Sequence, residues 1–178
     1  MKKLEIGERA PDFVLPGVDG KDHSLAKFKD KQVVVVVFAC NHCPYVRAYE
    51  DRLFSLQRTF APLGVQFVAI NANESVGYPE DGFDSMVKRA TRRSYNFPYL
   101  RDETQRIARA YGARYTPEAF VLNSKFRVRY MGRIDDNWQH PAKAKSHDLR
   151  DAIEAVLAHK KVENPVTHAI GSTIKWKL

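Results

Sequence analysis

The sequence predicts an α/β fold built on a mixed central sheet. Three observations carry that reading. Lys31 to Ala39 is a nearly continuous β-branched run followed at once by helical periodicity. A second apolar run, Val65 to Ile70, lies just beyond that helix. A third pair, Ala119–Leu122 and Val128–Met131, is joined through the turn formers Asn123-Ser124. A strand–helix–strand unit favours parallel pairing and a short turn favours antiparallel pairing, so the sheet is mixed. The 178 residues form one domain, 1–178, with 160–178 as a C-terminal extension. A chain of that size buries roughly 70% of its unfolded surface, enough for a core without staples.

The elements follow in order. Phe13-Val14-Leu15 and the Ser24-Leu25 region flank Pro16-Gly17 and Asp19-Gly20, which predicts an N-terminal hairpin. The run from Lys31 to Ala39 reads as a central strand buried on both faces. Pro44 suits the first turn of a helix, where its missing N–H is not needed. Val46, Tyr49, Leu53, Leu56 and Phe60 then recur on one helical face, ending near Pro62-Leu63-Gly64. After the Val65–Ile70 strand come a polar loop, Asn71 to Asp81, and a helix facing inward with Phe83, Met86, Val87 and Ala90. This is an inserted loop–helix segment. Phe97–Leu100 reads as a short strand. Asp102 and Gln105 have capping-box spacing for a helix bearing Ile107, Ala108 and Tyr111, with Gly112 as its stop. Ser146 is the expected cap of a last helix that buries Leu149, Ala152, Ile153, Val156 and Leu157.

Composition narrows the function classes. The longest apolar run, Val33 to Cys40, is far short of the ~20 residues of a membrane helix, so no membrane association is expected. Lys+Arg 29 against Asp+Glu 21 gives a net charge of +8. Clusters at Lys88-Arg89 with Arg92-Arg93 and at Lys125 to Arg133 suit acidic partners. Lys125, Arg127 and Arg129 alternate as the solvent face of a strand would. The charge comes with no nucleic-acid motif, which speaks against that partner. Glu5, Gly7, Glu8 and Arg9 interrupt any apolar leader, and the expectation is a cytoplasmic protein.

Two cysteines cannot make a disulfide framework, but Cys40 and Cys43 stand as Cys-x-x-Cys between a buried strand and a helix. A helix N-terminus offers free N–H donors and partial positive charge, which favour the reactive thiolate. In such a pair one sulfur attacks a disulfide and the other resolves the mixed disulfide. His42 adds a donor or positive charge beside the sulfurs. Zinc needs about four ligands and no second Cys or His pair exists, while Pro44 replaces the histidine of a haem-attachment motif. Hence no metal and no cofactor are expected. The Asn71-Ala72-Asn73-Glu74 loop reads as a polar turn, and Asp135-Asp136 as solvated structural residues.

GERAPDF, the strand followed by FACNHCPYV, and YTPEAFVL resemble the thioredoxin-fold redoxins of the alkyl hydroperoxide reductase/thiol-specific antioxidant type. NANESVGYPED, FPYLRDETQRIARAYGA and GRIDDNW extend the resemblance to a group of bacterial thioredoxin-family proteins and cover essentially the whole chain. The resemblance implies a thioredoxin-like fold in which Pro117 is cis and lies opposite the cysteines. It also implies that the backbone of Thr116 pairs with a bound substrate. Asn41 and Pro44, inside the motif, join Thr116 and Pro117 as candidate substrate-binding residues. Relatives in that group often carry cysteine where Tyr115 and Ser172 stand here, so any relay through an extra cysteine is absent.

Three readings follow. The first is a thiol–disulfide oxidoreductase with Cys40, expected to be the more exposed, as nucleophile, Cys43 resolving and His42 assisting. Its substrates are protein or small-molecule disulfides and thiols. The second is a peroxidase with Cys43 peroxidatic and Cys40, in the position of the peroxiredoxin threonine, resolving. The third is a non-catalytic redox sensor. The sequence specifies no oligomeric state, and leaves 160–178 to cover the sheet, swap between subunits or stay mobile, with Ile170, Ile174 and Trp176 available to pack.

Overall fold

The computed structural model describes all residues, 1–178. The elements are β1 (Val14–Pro16), β2 (Asp22–Ser24), β3 (Val33–Phe38), α1 (Pro44–Phe60), β4 (Val65–Asn71), α2 (Phe83–Arg93), β5 (Tyr99–Arg101), α3 (Arg106–Tyr111), β6 (Tyr115–Thr116), β7 (Glu118–Leu122), β8 (Val128–Gly132), α4 (Asp148–Leu157) and β9 (Ser172–Thr173). Five strands form the central sheet in the order β5-β4-β3-β7-β8. β3 runs parallel to β4 (Val33↔Val65) and antiparallel to β7 (Val36↔Phe120). β5 continues the parallel half, and β8 closes the antiparallel half with an irregularity at Val121/Leu122. The mixed thioredoxin-like sheet and the β1–β2 hairpin are as the sequence predicts.

β3 is buried along its whole length because both sheet faces are covered. Val33, Val35 and Val37 pack with Tyr49 and Leu53 of α1, Met86 of α2, and Leu149 and Ile153 of α4. Val34, Val36 and Phe38 face the other way, against Leu25, Phe28, Ala108, Tyr111 and Phe120. Alternation along a strand thus feeds two cores from one run. Gly64 ends the turn after α1 with φ +85°, and Gly112 stops α3 with φ +67°.

Several local expectations are corrected. Leu56 is only half-buried, and Glu50 and Gln57 lie inside on α1. Gln57 is satisfied by Val65 O and by the Phe67 N–H at 2.7 Å, an edge that bridges α1 to β4. The strand expected over Phe97–Leu100 is β5 and begins at Tyr99, because Phe97 instead joins Phe54 and Phe67 in an aromatic group. Asp102 and Gln105 make no capping box. Asp102 accepts the Ala108 N–H, and the Gln105 amide turns to the C-terminal segment. Ser146 does not cap α4, which starts after His147 without a side-chain cap. Asp135 is buried rather than solvated, accepting Tyr49 OH at 2.8 Å and the Arg52 guanidinium at 2.7 Å.

Residues 160–178 run back over the sheet edge to the cysteines. Met131 N–H donates to Pro165 O, Thr167 N–H to Met131 O, and β9 pairs antiparallel with β6. Ile174 is buried, Trp176 packs on the second core, and Ile170 is half-buried. No helix is long and apolar enough to cross a membrane.

Candidate active site

The end of β3 delivers Cys40, and the first turn of α1 begins immediately after Cys43. Both thiols are free and both are buried, with 2% and 5% of their surface exposed. Cys40 is therefore not the more exposed sulfur, and that expectation is corrected. Its strand is covered on both faces and its side chain points inward, toward Thr116.

The Thr116–Pro117 peptide is cis, as the resemblance implies. Thr116 touches both sulfurs: its Oγ1 is 3.4 Å from Cys40 Sγ, and its carbonyl is 3.2 Å from Cys43 Sγ. The Cys43 N–H donates to Cys40 Sγ at 3.3 Å. The Ser172 hydroxyl is 3.1 Å from Cys43 Sγ. Three chain segments, the Cys40–Cys43 loop, Thr116 and Ser172, thus meet at two sulfurs.

Glu118 fixes the loop before the cis bond. It is fully buried, accepts the N–H groups of Arg114 (2.7 Å) and Tyr115 (3.2 Å), and is paired with Lys3. Asp81 fixes the Cys-x-x-Cys loop from the other side. Its carboxylate accepts the Asn41 N–H at 2.6 Å, the Asn71 amide at 3.1 Å and the Asn73 amide at 3.0 Å. Arg101, also buried, donates to Asp81 O and Asn73 O. A buried carboxylate with three donors is a rigid anchor, and the Asn71–Asp81 segment is this anchor rather than a simple polar turn. No cluster of ligating side chains suited to a metal is present.

The remaining candidates separate. Asn41 is buried, accepting Tyr99 OH at 2.7 Å and donating to Glu80 O at 2.8 Å, so its side chain positions the loop and is not free for a substrate. His42 is two-thirds exposed with Nδ1 3.8 Å from Glu80, and it hydrogen-bonds neither sulfur. Pro44 occupies the first position of α1 and is exposed beside Cys43. Pro117 is buried. The Thr116 backbone, expected to meet a substrate, is paired with Ser172 of β9. Tyr45 packs on Trp138, ring centroids 4.4 Å apart, and Tyr49 lies in the core.

The two thiols titrate in opposite directions. A hydrogen bond from the Cys40 thiol is the largest influence holding Cys43 down, to about 5, against burial; the Ser172 hydroxyl and the Val46 and Ser172 backbone N–H groups act the same way. Cys40 is pushed far up, first by donating to Cys43, then by burial, then by the negative charges of Cys43 and Asp81. The pair therefore gives up one proton readily and the second reluctantly. When Cys43 is ionised, Ser172 donates to it; when it is protonated, the Thr116 carbonyl accepts from it.

The sequence singled out Cys40, Cys43, Thr116 and Pro117, and the structure brings all four together. The roles of Asp81 and Glu118 were not read from the sequence, although both lie inside quoted motifs, NANESVGYPED and YTPEAFVL. Ser172 stood out only as a departure from the resembling group.

The AhpC/TSA family model matches residues 6–131. The chain belongs to the AhpC/TSA family. It is an oxidoreductase of that family with a Cys40/Cys43 pair at its site. It is 28% identical over 128 residues to the thiol-disulfide oxidoreductase ResA of Geobacillus thermodenitrificans, covering 71% of this chain and 68% of that protein. It is 31% identical over 153 residues to a Helicobacter pylori protein designated a peroxiredoxin (bcp), covering 83% of this chain and 95% of that one. Among solved structures, a hypothetical protein of Sinorhizobium meliloti matches with a TM-score of 0.90 at 37% identity, covering 99% of this chain and 97% of that one.

Proposed function

We propose that this AhpC/TSA protein is a thiol–disulfide oxidoreductase within a single redoxin domain, and that the Cys40/Cys43 couple cycles between dithiol and disulfide. The observation that carries this reading is the shared contact with Thr116, together with the Cys43 N–H on Cys40 Sγ. Two sulfurs held in one such frame can close on each other. The 28% identity to ResA supports the same chemistry.

We assign the first attack to Cys43, the reverse of the order expected from sequence. Its support is the Ser172 hydroxyl 3.1 Å from Cys43 Sγ and the deeper burial of Cys40, with the opposed titration of the two thiols in the same direction. The Cys43 thiolate attacks one sulfur of a disulfide RSSR, forming a mixed disulfide, and RS⁻ leaves and takes a proton. Cys40 then loses its proton and attacks Cys43 Sγ, releasing the second RS⁻. Two electrons pass to the substrate, and a Cys40–Cys43 disulfide and two thiols result. Asn41 and Asp81 hold the loop in place. His42 is exposed against Glu80 and meets neither sulfur.

The depressed Cys43 thiol and the 31% identity to the Helicobacter pylori peroxiredoxin favour one second reading, attack of the same thiolate on a peroxide. Cys43 would become a sulfenic acid, releasing water or an alcohol, and Cys40 would condense with it. Turnover of a disulfide and of hydrogen peroxide, measured side by side on wild type, Cys40→Ser and Cys43→Ser, separates them. Exchange requires disulfide turnover that both substitutions abolish, with peroxide consumed at least about a hundredfold more slowly, a gap of some 2.7 kcal/mol in barrier.

A further inference from the structure

The sulfurs are covered by the chain's own C-terminal strand. Gly171 lies against the Thr116–Pro117 peptide so closely that a Cβ there would fall inside contact distance of the Thr116 carbonyl. Ser172 pairs with Thr116 and sets its hydroxyl on Cys43. Beyond β9 the segment is fastened in several places. The Ile174 N–H donates to Arg114 O at 2.8 Å, the Glu74 N–H to Lys175 O at 2.7 Å, and the Lys175 N–H to Asn73 Oδ1 at 3.0 Å. The Gln105 amide donates to both Ala72 O and Lys175 O and accepts the Lys177 N–H at 3.0 Å. Ile174 is buried, and Arg109 lies over the Trp176 ring at 4.6 Å.

Thiolate attack on a disulfide is in line with the bond that breaks, so the substrate must fit chain on both sides of its two sulfurs at the attacking atom. A low-molecular-weight disulfide needs only a narrow slot for this. A disulfide inside a folded protein brings backbone with it, and here the position beside Thr116 is already filled. We infer that the strand Gly171–Thr173 is a specificity element that admits low-molecular-weight disulfides to Cys43 and excludes disulfides held in folded proteins. This rests on the exchange reading and names its substrate class. The chemistry is the two-electron step given above.

The test compares reduction of hydroxyethyl disulfide with reduction of native insulin disulfides, on wild type and two variants that weaken the cover in different ways. Gln105→Ala removes anchors remote from the sulfurs, and Gly171→Ala wedges the strand off Thr116. Wild type is expected to reduce hydroxyethyl disulfide at least about tenfold faster than insulin. The ratio of insulin to hydroxyethyl disulfide rates should rise about tenfold in both variants, within the range steric exclusion commonly provides. With Gln105→Ala the hydroxyethyl disulfide rate itself should stay within about threefold of wild type. A wild-type protein equally fast on both substrates, or an unchanged ratio in both variants, overturns the inference. Wild type inert toward both substrates overturns the exchange reading beneath it, whereas wild type that reduces insulin but not hydroxyethyl disulfide overturns the inference alone.

Discussion

Ser172 Oγ lies 3.1 Å from Cys43 Sγ, although the two residues are 129 positions apart in the chain. The contact joins the last strand of the protein to the first turn of its first helix. It gives the Cys43 thiolate a hydroxyl donor in a site that burial otherwise makes unfavourable for charge.

Removing that donor should make the thiolate harder to form. A hydrogen bond to a charged group contributes about 1.5–3 kcal/mol, and about 1.4 kcal/mol corresponds to a tenfold change in the ionisation constant. In Ser172→Ala the pH midpoint of Cys43 alkylation should therefore rise by about one pH unit or more. Ser172→Thr, which keeps the hydroxyl, should restore it. Alkylation of Cys40→Ser variants by iodoacetamide across pH 4–9 reads the shift, and an unmoved midpoint in Ser172→Ala contradicts this role.

The two thiols also shape stability against pH. Cys43 is held at about 5 in the folded protein against an ordinary value of 9.0. Between those values the unfolded chain binds more protons at Cys43, so folding stability rises with pH, and this contribution is lost as pH falls through about 5. Cys40 is raised above 9.0, so its contribution is present at lower pH and declines as pH rises above 9.0. Urea midpoints of the reduced protein, minus those of the oxidised protein, should climb from pH 5 toward 9 and then fall. A flat difference contradicts the opposed titration.

Asp81→Ala strips the partner from three buried donors, the Asn41 N–H and the Asn71 and Asn73 amides. Leaving a buried donor unsatisfied costs about 1–3 kcal/mol, so a loss of at least about 3 kcal/mol is expected from chemical denaturation. Because the Asn41 loop carries the cysteines, disulfide turnover should fall as well. Normal turnover in a destabilised protein would show that the anchor serves the fold alone.

Arg52→Ala makes a contrasting case. Its guanidinium pairs with buried Asp135, donates to Asn137 O and Trp138 O, and lies 4.4 Å over the Tyr49 ring. Breaking a buried pair by removing one partner costs roughly 3–5 kcal/mol, and Asp135 also holds Tyr49. Stability should drop by about that amount while the pH midpoint of Cys43 alkylation stays at its wild-type position.

The parts legible in the sequence were those written locally. A β-branched run, Pro44 after a Cys-x-x-Cys and Gly112 at a helix end each specify their conformation within a few residues, and β3, α1 and the α3 stop followed. The Cys–Cys–Pro117 constellation was legible through the motifs around it. What stayed hidden depends on partners far along the chain. Residues 160–178 have no period of 2 or 3.6, because their contacts are with Met131, Asn73, Gln105 and Thr116 and not with one face of one element. For the same reason Gln105 resembled a capping residue, and Asp135 a solvated one. The burial of Cys40 was hidden in the sequence because Thr116, which its sulfur meets, lies 76 positions away.

The most direct measurement is the identity of the sulfur that makes the mixed disulfide. Reduced Cys40→Ser and Cys43→Ser, mixed at pH 6 with an excess of hydroxyethyl disulfide, are quenched with acid and mapped by peptide mass spectrometry. A rapid, persistent adduct is expected on Cys43 in Cys40→Ser and almost none on Cys40 in Cys43→Ser. A rapid adduct on Cys40, with Cys43 unmodified, would contradict first attack by Cys43.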